Sequence, residues 1–284
     1  MKTSLSYLIT GGFLCIAFLV PQDSHASNIE KKPVSPLQGE PLMITLTATS
    51  TAKSVTVFGK VRPIFLYKGK QTVLVAVDLN KSPGTYTITA LLSNGMRIDD
   101  TVTVKVRPRV EAPLGIPQTL GGNTAAAADT LVSTLALENA SLLGLRTGTH
   151  AFWSKAFTYP VSEPVVTDPY GYKRTTGTYS IAHRGTDFRA PTGTPVLSMN
   201  RGVVRLVQEG RNYGKTVIID HGLGVQTFYM HLSRILVQEG ELVLPGQRIG
   251  LSGATGYAEQ AHLHTTVRIG EISIDPVVFL GLFN

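Results

Sequence analysis

The sequence predicts a mainly β protein: an N-terminal immunoglobulin-like β-sandwich, a short helical linker, and a C-terminal antiparallel β-sheet domain carrying a metal site. Three observations predict it. The chain has 284 residues, more than one compact core usually needs, so two domains are expected. Residues 42–110 run as short alternating segments broken by turn signals. From Phe152 onward the pattern is β again, rich in glycine, and carries paired histidine and carboxylate side chains.

Residues 1–26 read as an export signal. Lys2 is a short positive start, an apolar run extends from Leu5 to Val20, and Ser24-His25-Ala26 supplies a small-x-small cleavage site. The run is shorter than the ~20 residues of a membrane span, which favours cleavage after Ala26 over a retained anchor. No later segment approaches a span. The single cysteine, Cys15, lies inside the run behind Leu14, so a lipoprotein is not expected. Cleavage leaves no thiol and no disulfide, which fits export into an oxidising space. Any metal must then rest on histidine and carboxylate.

Residues 27–110 form the first domain. Met43–Ala48, Ser54–Phe58, Thr72–Val77, Thr85–Leu91 and Asp100–Val106 read as strands, with turns at Lys81–Gly84 and Ser93–Gly95. Short strands at this spacing suggest a small antiparallel sandwich. The stretch holds neither His nor Cys, so it is expected to bind or space rather than catalyse. The formal charge is +7; residues 27–150 hold 13 Lys+Arg against 8 Asp+Glu, and residues 151–284 hold 12 against 10. This excess suits either attraction to anionic envelope polymers or a solvated positive surface with no partner. No basic run or nucleic-acid motif occurs, so nucleic acid is not an expected partner.

Residues 111–150 read as linker. Pro113 and Pro117 end the β pattern, and Leu131, Leu135 and Leu142 at near-helical spacing predict a short helix over 129–145, stopped around Gly144–Gly148. In residues 151–284, Pro195–Met199, Gly202–Val207, Lys215–Asp220 and Gln226–His231 read as successive strands linked by glycine-containing turns.

The chemistry lies in this last segment. His183 and Asp187 form an H-x-x-x-D pair; His262 and His264 form an H-x-H pair. Imidazole and carboxylate are ligands that zinc prefers, and a catalytic zinc keeps three protein ligands and one open position. Four candidates leave one histidine over for proton transfer. The residues after His264 are β-branched, so His262 and His264 are expected on one face of a strand and Leu263 on the other. Gly185 argues for a bend, not a helix, between His183 and Asp187. His231, at a strand end, is a candidate second proton-transfer or oxyanion-stabilising group. Tyr213, in the loop before the Val217 strand, is a candidate groove residue but reads more simply as a packed loop tyrosine, and His221 is read as structural.

His183-Arg184-Gly185-Thr186-Asp187, Tyr229-Met230-His231-Leu232-Ser233 and His262-Leu263-His264 resemble the three signature motifs of the lysostaphin-type (LytM-like) zinc endopeptidases. Ala190–Val196, Asp220-His221-Gly222, Pro245–Gly250, Gly253–Gly256 and Ile274-Asp275-Pro276 agree in order, so the resemblance covers 155–284. The β-domain and helix ahead of it resemble the N-terminal region of a bacterial envelope branch of that family. The resemblance implies zinc held by His183, Asp187 and His264, with His262 as general base and His231 beside it. It implies peptidoglycan stem peptides or cross-bridges as substrate, in the periplasm, cell envelope or outside the cell. A non-catalytic wall-binding or amidase-activating protein and a peptidase of exported proteins are the alternatives. Two departures stand out: Gln260-Ala261 replace the usual Gly-Pro, and Thr265-Thr266 replace an aromatic or Phe-Glu pair, with Thr265 expected to remove a bulky wall of the groove.

Overall fold

The computed structural model describes residues 28–283; the expected export signal lies outside them. Among the described residues no helix is long and apolar enough to cross a membrane.

The first eight strands are β1 (Ile29–Lys32), β2 (Pro41–Leu46), β3 (Ala52–Val57), β4 (Lys60–Arg62), β5 (Phe65–Tyr67), β6 (Lys70–Ala76), β7 (Gly84–Leu92) and β8 (Arg97–Val104). They form two four-stranded sheets, ordered β1-β2-β6-β5 and β4-β3-β7-β8. Taken in chain order these are strands A-B-E-D facing C′-C-F-G, the immunoglobulin arrangement. Leu42, Ile44, Val55, Val57, Val73, Val75, Ile88 and Val102 fill the space between the sheets. The sequence pattern missed β1, β4 and β5, which have only three or four residues each.

Strand β6 is apolar without alternation because it is buried on both faces. Val73 and Val75 point into the sandwich, while Leu74 and Ala76, with Met43 of β2, join the core of the C-terminal half beside Trp153, Phe157, Phe279 and Phe283. Phe65 stacks edge-on against Trp153 and Tyr67 against Phe283, with ring centroids 5.7 and 5.5 Å apart. A polar bolt joins the same faces: Arg107 donates to Asp275 at 3.0 Å and to the Gln38 carbonyl at 2.7 Å.

Residues 111–150, expected as linker, hold β9 (Glu111–Pro113) and α1 (Ala125–Ser141). The helix starts earlier than the leucine spacing predicts, because the Thr124 side chain caps it by accepting from Ala127 N and the alanines form its first turn. The remaining strands are β10 (Val166–Asp168), β11 (Lys173–Thr176), β12 (Tyr179–Ala182), β13 (Thr186–Arg189), β14 (Pro195–Leu197), β15 (Gly202–Gly210), β16 (Gly214–Gly222), β17 (Val225–Ile235), β18 (Leu242–Val243), β19 (Arg248–Ser252), β20 (His262–Ile269) and β21 (Ile272–Ile274), followed by α2 (Pro276–Gly281). The main sheet runs β10-β13-β20-β17-β16-β15-β18 and every pair in it is antiparallel, as the turn spacing implied. β9 instead pairs parallel with β11 in a small sheet completed by β12.

Candidate active site

Three adjacent strands of the main sheet carry the site. In the β13–β20 pair Asp187 lies opposite His264, and Arg189 opposite His262. Phe188 and Leu263 are fully buried in the core on the other face, so Asp187, Arg189, His262 and His264 share the groove face, as strand alternation requires. His183 enters from the bend before β13. Gly185 occupies that bend because a Cβ there would sit 2.3 Å from His264 Nε2 and 2.7 Å from the Thr265 carbonyl.

His231 reaches the same face by a different route. On β17, Tyr229 and Leu232 belong to the opposite core and Met230 to the groove side. Strict alternation would bury His231 beside Tyr229. The chain instead bulges: Tyr229 pairs with Val217 and Leu232 with Lys215, so β17 gains a residue over β16. His231 takes φ 60°, in the left-handed region, and turns onto the groove face. Its ring centroid is 4.9 Å from that of His262 and 6.0 Å from that of His264.

The hydrogen bonds fix where the protons are. His183 Nδ1 donates to the Pro169 carbonyl at 3.0 Å, leaving Nε2 proton-free. Thr266 Oγ1 donates to the Arg184 carbonyl at 3.2 Å, so it accepts from His264 Nε2 at 3.1 Å. His264 Nδ1 is therefore the proton-free nitrogen. His183 Nε2, His264 Nδ1 and Asp187 Oδ1 converge, with separations of 3.1, 3.2 and 2.8 Å. Three acceptors aimed at one another without a proton call for a cation. A tetrahedral zinc with bonds of about 2.0–2.2 Å spaces its ligand atoms about 3.3 Å apart, so the donor set fits. The surroundings agree. Burial depresses proton binding at His183, but the Asp187 and Asp168 carboxylates outweigh it and the net direction is upward. Burial would raise the Asp187 pKa, yet His183 and His264 hold it well below the usual carboxylate range.

His262 turns one ring nitrogen toward the ligand cluster. Its Nδ1 donates to the Gln260 carbonyl at 2.8 Å, and its proton-free Nε2 lies 3.8 Å from Asp187 Oδ2. His231 Nδ1 donates to the Thr255 carbonyl at 2.9 Å, so its Nε2 is also an acceptor. Burial and the neighbouring imidazoles of His262 and His264 push its pKa down to about 3. In this tautomer Nε2 carries no proton and faces the groove as a hydrogen-bond acceptor.

The groove is not confined to residues 151–284. Leu114 and Gly115, and Leu131, Leu135 and Asn139 of α1, line it together with the histidines. α1 is tied down by Glu138, which accepts from Asn212 N at 2.7 Å and Tyr213 N at 3.1 Å, while Tyr213 Oη donates to Asn139 at 2.8 Å. Tyr213 is thus a groove-wall residue, and burial pushes its pKa up to about 12, so it is no acid at neutral pH. His221 lies outside the site, fully buried between the Arg201 carbonyl and Thr227. Thr265 corrects an expectation. It is fully buried on the face away from the histidines, opposite Thr186 and Tyr229, and removes no groove wall. Thr266 is the functional residue that sequence reasoning overlooked; its i+2 spacing from His264 was the available signal.

Residues 181–276 match the sequence profile of Peptidase family M23. This segment is a peptidase family M23 domain. Over 82 residues the chain is 50% identical to peptidoglycan DD-endopeptidase ShyA of Vibrio cholerae, covering 29% of this chain and 19% of that protein. Over 114 residues it is 38% identical to DD-carboxypeptidase/endopeptidase Mpg of Neisseria meningitidis, covering 39% and 26%. These curated relatives are therefore matched over about a fifth to a quarter of their length. A Pseudomonas aeruginosa crystal structure described as a peptidase M23 superposes with TM-score 0.64 at 24% identity, over 88% of this chain and 96% of that one, a likeness of fold alone. It extends beyond the M23 domain, whose matched segment begins only at residue 181.

Proposed function

We propose that this protein is a zinc-dependent endopeptidase that hydrolyses peptide bonds in peptidoglycan stem peptides or cross-bridges, after export to the cell envelope. The observation that carries the reading is the convergence of three proton-free acceptors, His183 Nε2, Asp187 Oδ1 and His264 Nδ1, at the floor of a groove. Those three side chains would hold the metal. Bound zinc would supply a Lewis acid for the scissile carbonyl and lower the pKa of water toward about 7. His262 Nε2 takes a proton from the attacking water and returns it to the leaving amine, the work of a general base and then acid. His231 stands beside it, 4.9 Å between ring centroids, as a neutral hydrogen-bond acceptor that helps to position the water. The groove walls from α1 and the Leu114-Gly115 segment after β9 orient an extended peptide across the metal centre. The names of the M23 relatives, peptidoglycan DD-endopeptidase and DD-carboxypeptidase/endopeptidase, support peptidoglycan as substrate. The complete ligand set argues against a wall-binding protein without activity.

Digestion of purified peptidoglycan by the zinc-loaded protein, with mass analysis of the released muropeptides, tests this. The expected products are stem-peptide or cross-bridge cleavages absent with His183→Ala. A zinc-loaded, folded protein that releases no muropeptide but cuts exported proteins would overturn the substrate assignment.

A further inference from the structure

We infer that Arg189 binds a carboxylate of the substrate, so that the groove selects peptides with a free carboxylate beside the cleaved bond. The inference rests on the endopeptidase reading and adds a substrate feature to it.

Strand register places this residue. Asp187 and His264 are one cross-strand pair, and Arg189 and His262 are the next. Cross-strand neighbours have Cβ atoms about 4.5–5.5 Å apart. The Arg189 side chain therefore leaves the sheet beside the proposed base, one pair along from the ligand pair. The buried Phe188 between Asp187 and Arg189 holds both on the groove face.

The groove's other charges are mostly committed. Arg174 is paired with Asp168, and Lys173 with Glu111 at 2.6 Å. Arg109 donates to the Leu79 carbonyl at 2.9 Å, and Arg268 to the Leu142 carbonyl at 2.8 Å. Asp187 is taken up by the histidines. Arg189 is exposed, and among the described residues its guanidinium has no hydrogen-bond or ion-pair partner. Arg184 is likewise exposed, but it lies in the bend beside His183, outside the register that sets Arg189 next to His262. A guanidinium offers a planar fork of donors that matches a carboxylate two bonds at a time. A peptide lying across the metal centre would bring one of its own carboxylates to that fork. A carboxamide at the same place offers only one acceptor oxygen and no charge.

The test uses two synthetic stem-peptide substrates that differ only at the residue flanking the cleaved bond, one with a free carboxylate and one with its carboxamide. The wild-type protein should prefer the carboxylate by roughly tenfold in kcat/KM, mostly through KM, as expected for a hydrogen-bonded charge. Arg189→Gln should abolish the preference by weakening only the carboxylate peptide, and Arg189→Lys should keep part of it. Zinc content should be unchanged in both variants. If Arg189→Gln, folded and zinc-loaded, keeps the wild-type ratio, or if wild type shows no preference while cutting both peptides, the inference is wrong and the endopeptidase reading stands. A wild-type protein that cuts neither peptide overturns both.

Discussion

His221 gives the prediction whose size can be worked out directly. Its ring is fully buried; Nδ1 donates to the Arg201 carbonyl at 2.8 Å, Nε2 lies 2.8 Å from Thr227 Oγ1, and Phe157 packs edge-on at 5.1 Å. Burial depresses its pKa from 6.5 to about 4, against weaker upward pulls from the Arg201 carbonyl and Asp220. The unfolded chain takes up a proton near pH 6.5 while the folded chain does not until about pH 4. The unfolded state thus binds more protons across that window, and stability falls as pH falls through it. At about 1.36 kcal/mol per pH unit, the full loss is about 3 kcal/mol below pH 4, and about 2 kcal/mol between pH 7.5 and pH 5. Urea unfolding of wild type and His221→Gln at these two pH values, with chelator present throughout, isolates the histidine. Wild type should lose about 2 kcal/mol more than the variant on acidification, at unchanged m-value. Equal losses in the two proteins would mean that the buried imidazole is not held neutral, and would refute the reasoning.

Three further outcomes are expected. His183→Ala, Asp187→Ala and His264→Ala should each lose zinc by elemental analysis, while His262→Ala keeps most of it and loses turnover; a metal-free His262→Ala beside a zinc-loaded His264→Ala would reverse the ligand assignment. Thr266→Val removes the acceptor that fixes the His264 tautomer and should weaken zinc binding about tenfold or more in a chelator competition, whereas Thr266→Ser should bind near wild type; equal affinities for Val and Ser would show that the hydroxyl does not orient the ring. A fragment of residues 150–284 should be poorly soluble and inactive on soluble peptide, since it exposes Phe157, Phe279 and Phe283 and lacks α1; a soluble, active fragment would show that the shared core and the helix are dispensable.

What the sequence disclosed and what it hid follow from range. Alternation in Ser54–Phe58 and Thr85–Leu91 is a local property, and so is the shared face of His262 and His264, and both were legible. The bend at Gly185 was legible because no helix suits a glycine there, though its cause, contact with His264, is a matter of tertiary structure. His231 could only be read as a strand-end residue. Its place on the groove face comes from one extra residue in β17, and a bulge at a non-glycine leaves no mark in composition. The uninterrupted apolar run of β6 did carry a signal, burial on both faces, but not the identity of the second partner. Helix α1 buries mainly Ala127, Ala128 and Leu131, too short a stripe to announce where it docks. Its tie to the groove is made by Glu138 with backbone amides of Asn212 and Tyr213, which no residue pattern reveals.

The double burial of β6 has a consequence for how this protein changes over time. The outer face of the sandwich, through Met43, Leu74 and Ala76, fills the same core as Trp153, Phe157, Phe279 and Phe283. Close-packed side chains tolerate changes in volume poorly, so a larger residue on one side requires a smaller one on the other. The two halves therefore cannot be reshuffled freely by recombination. Natural variants should show paired substitutions across this seam, and a sandwich borrowed from another chain should fail unless its outer face is borrowed with the helix that meets it.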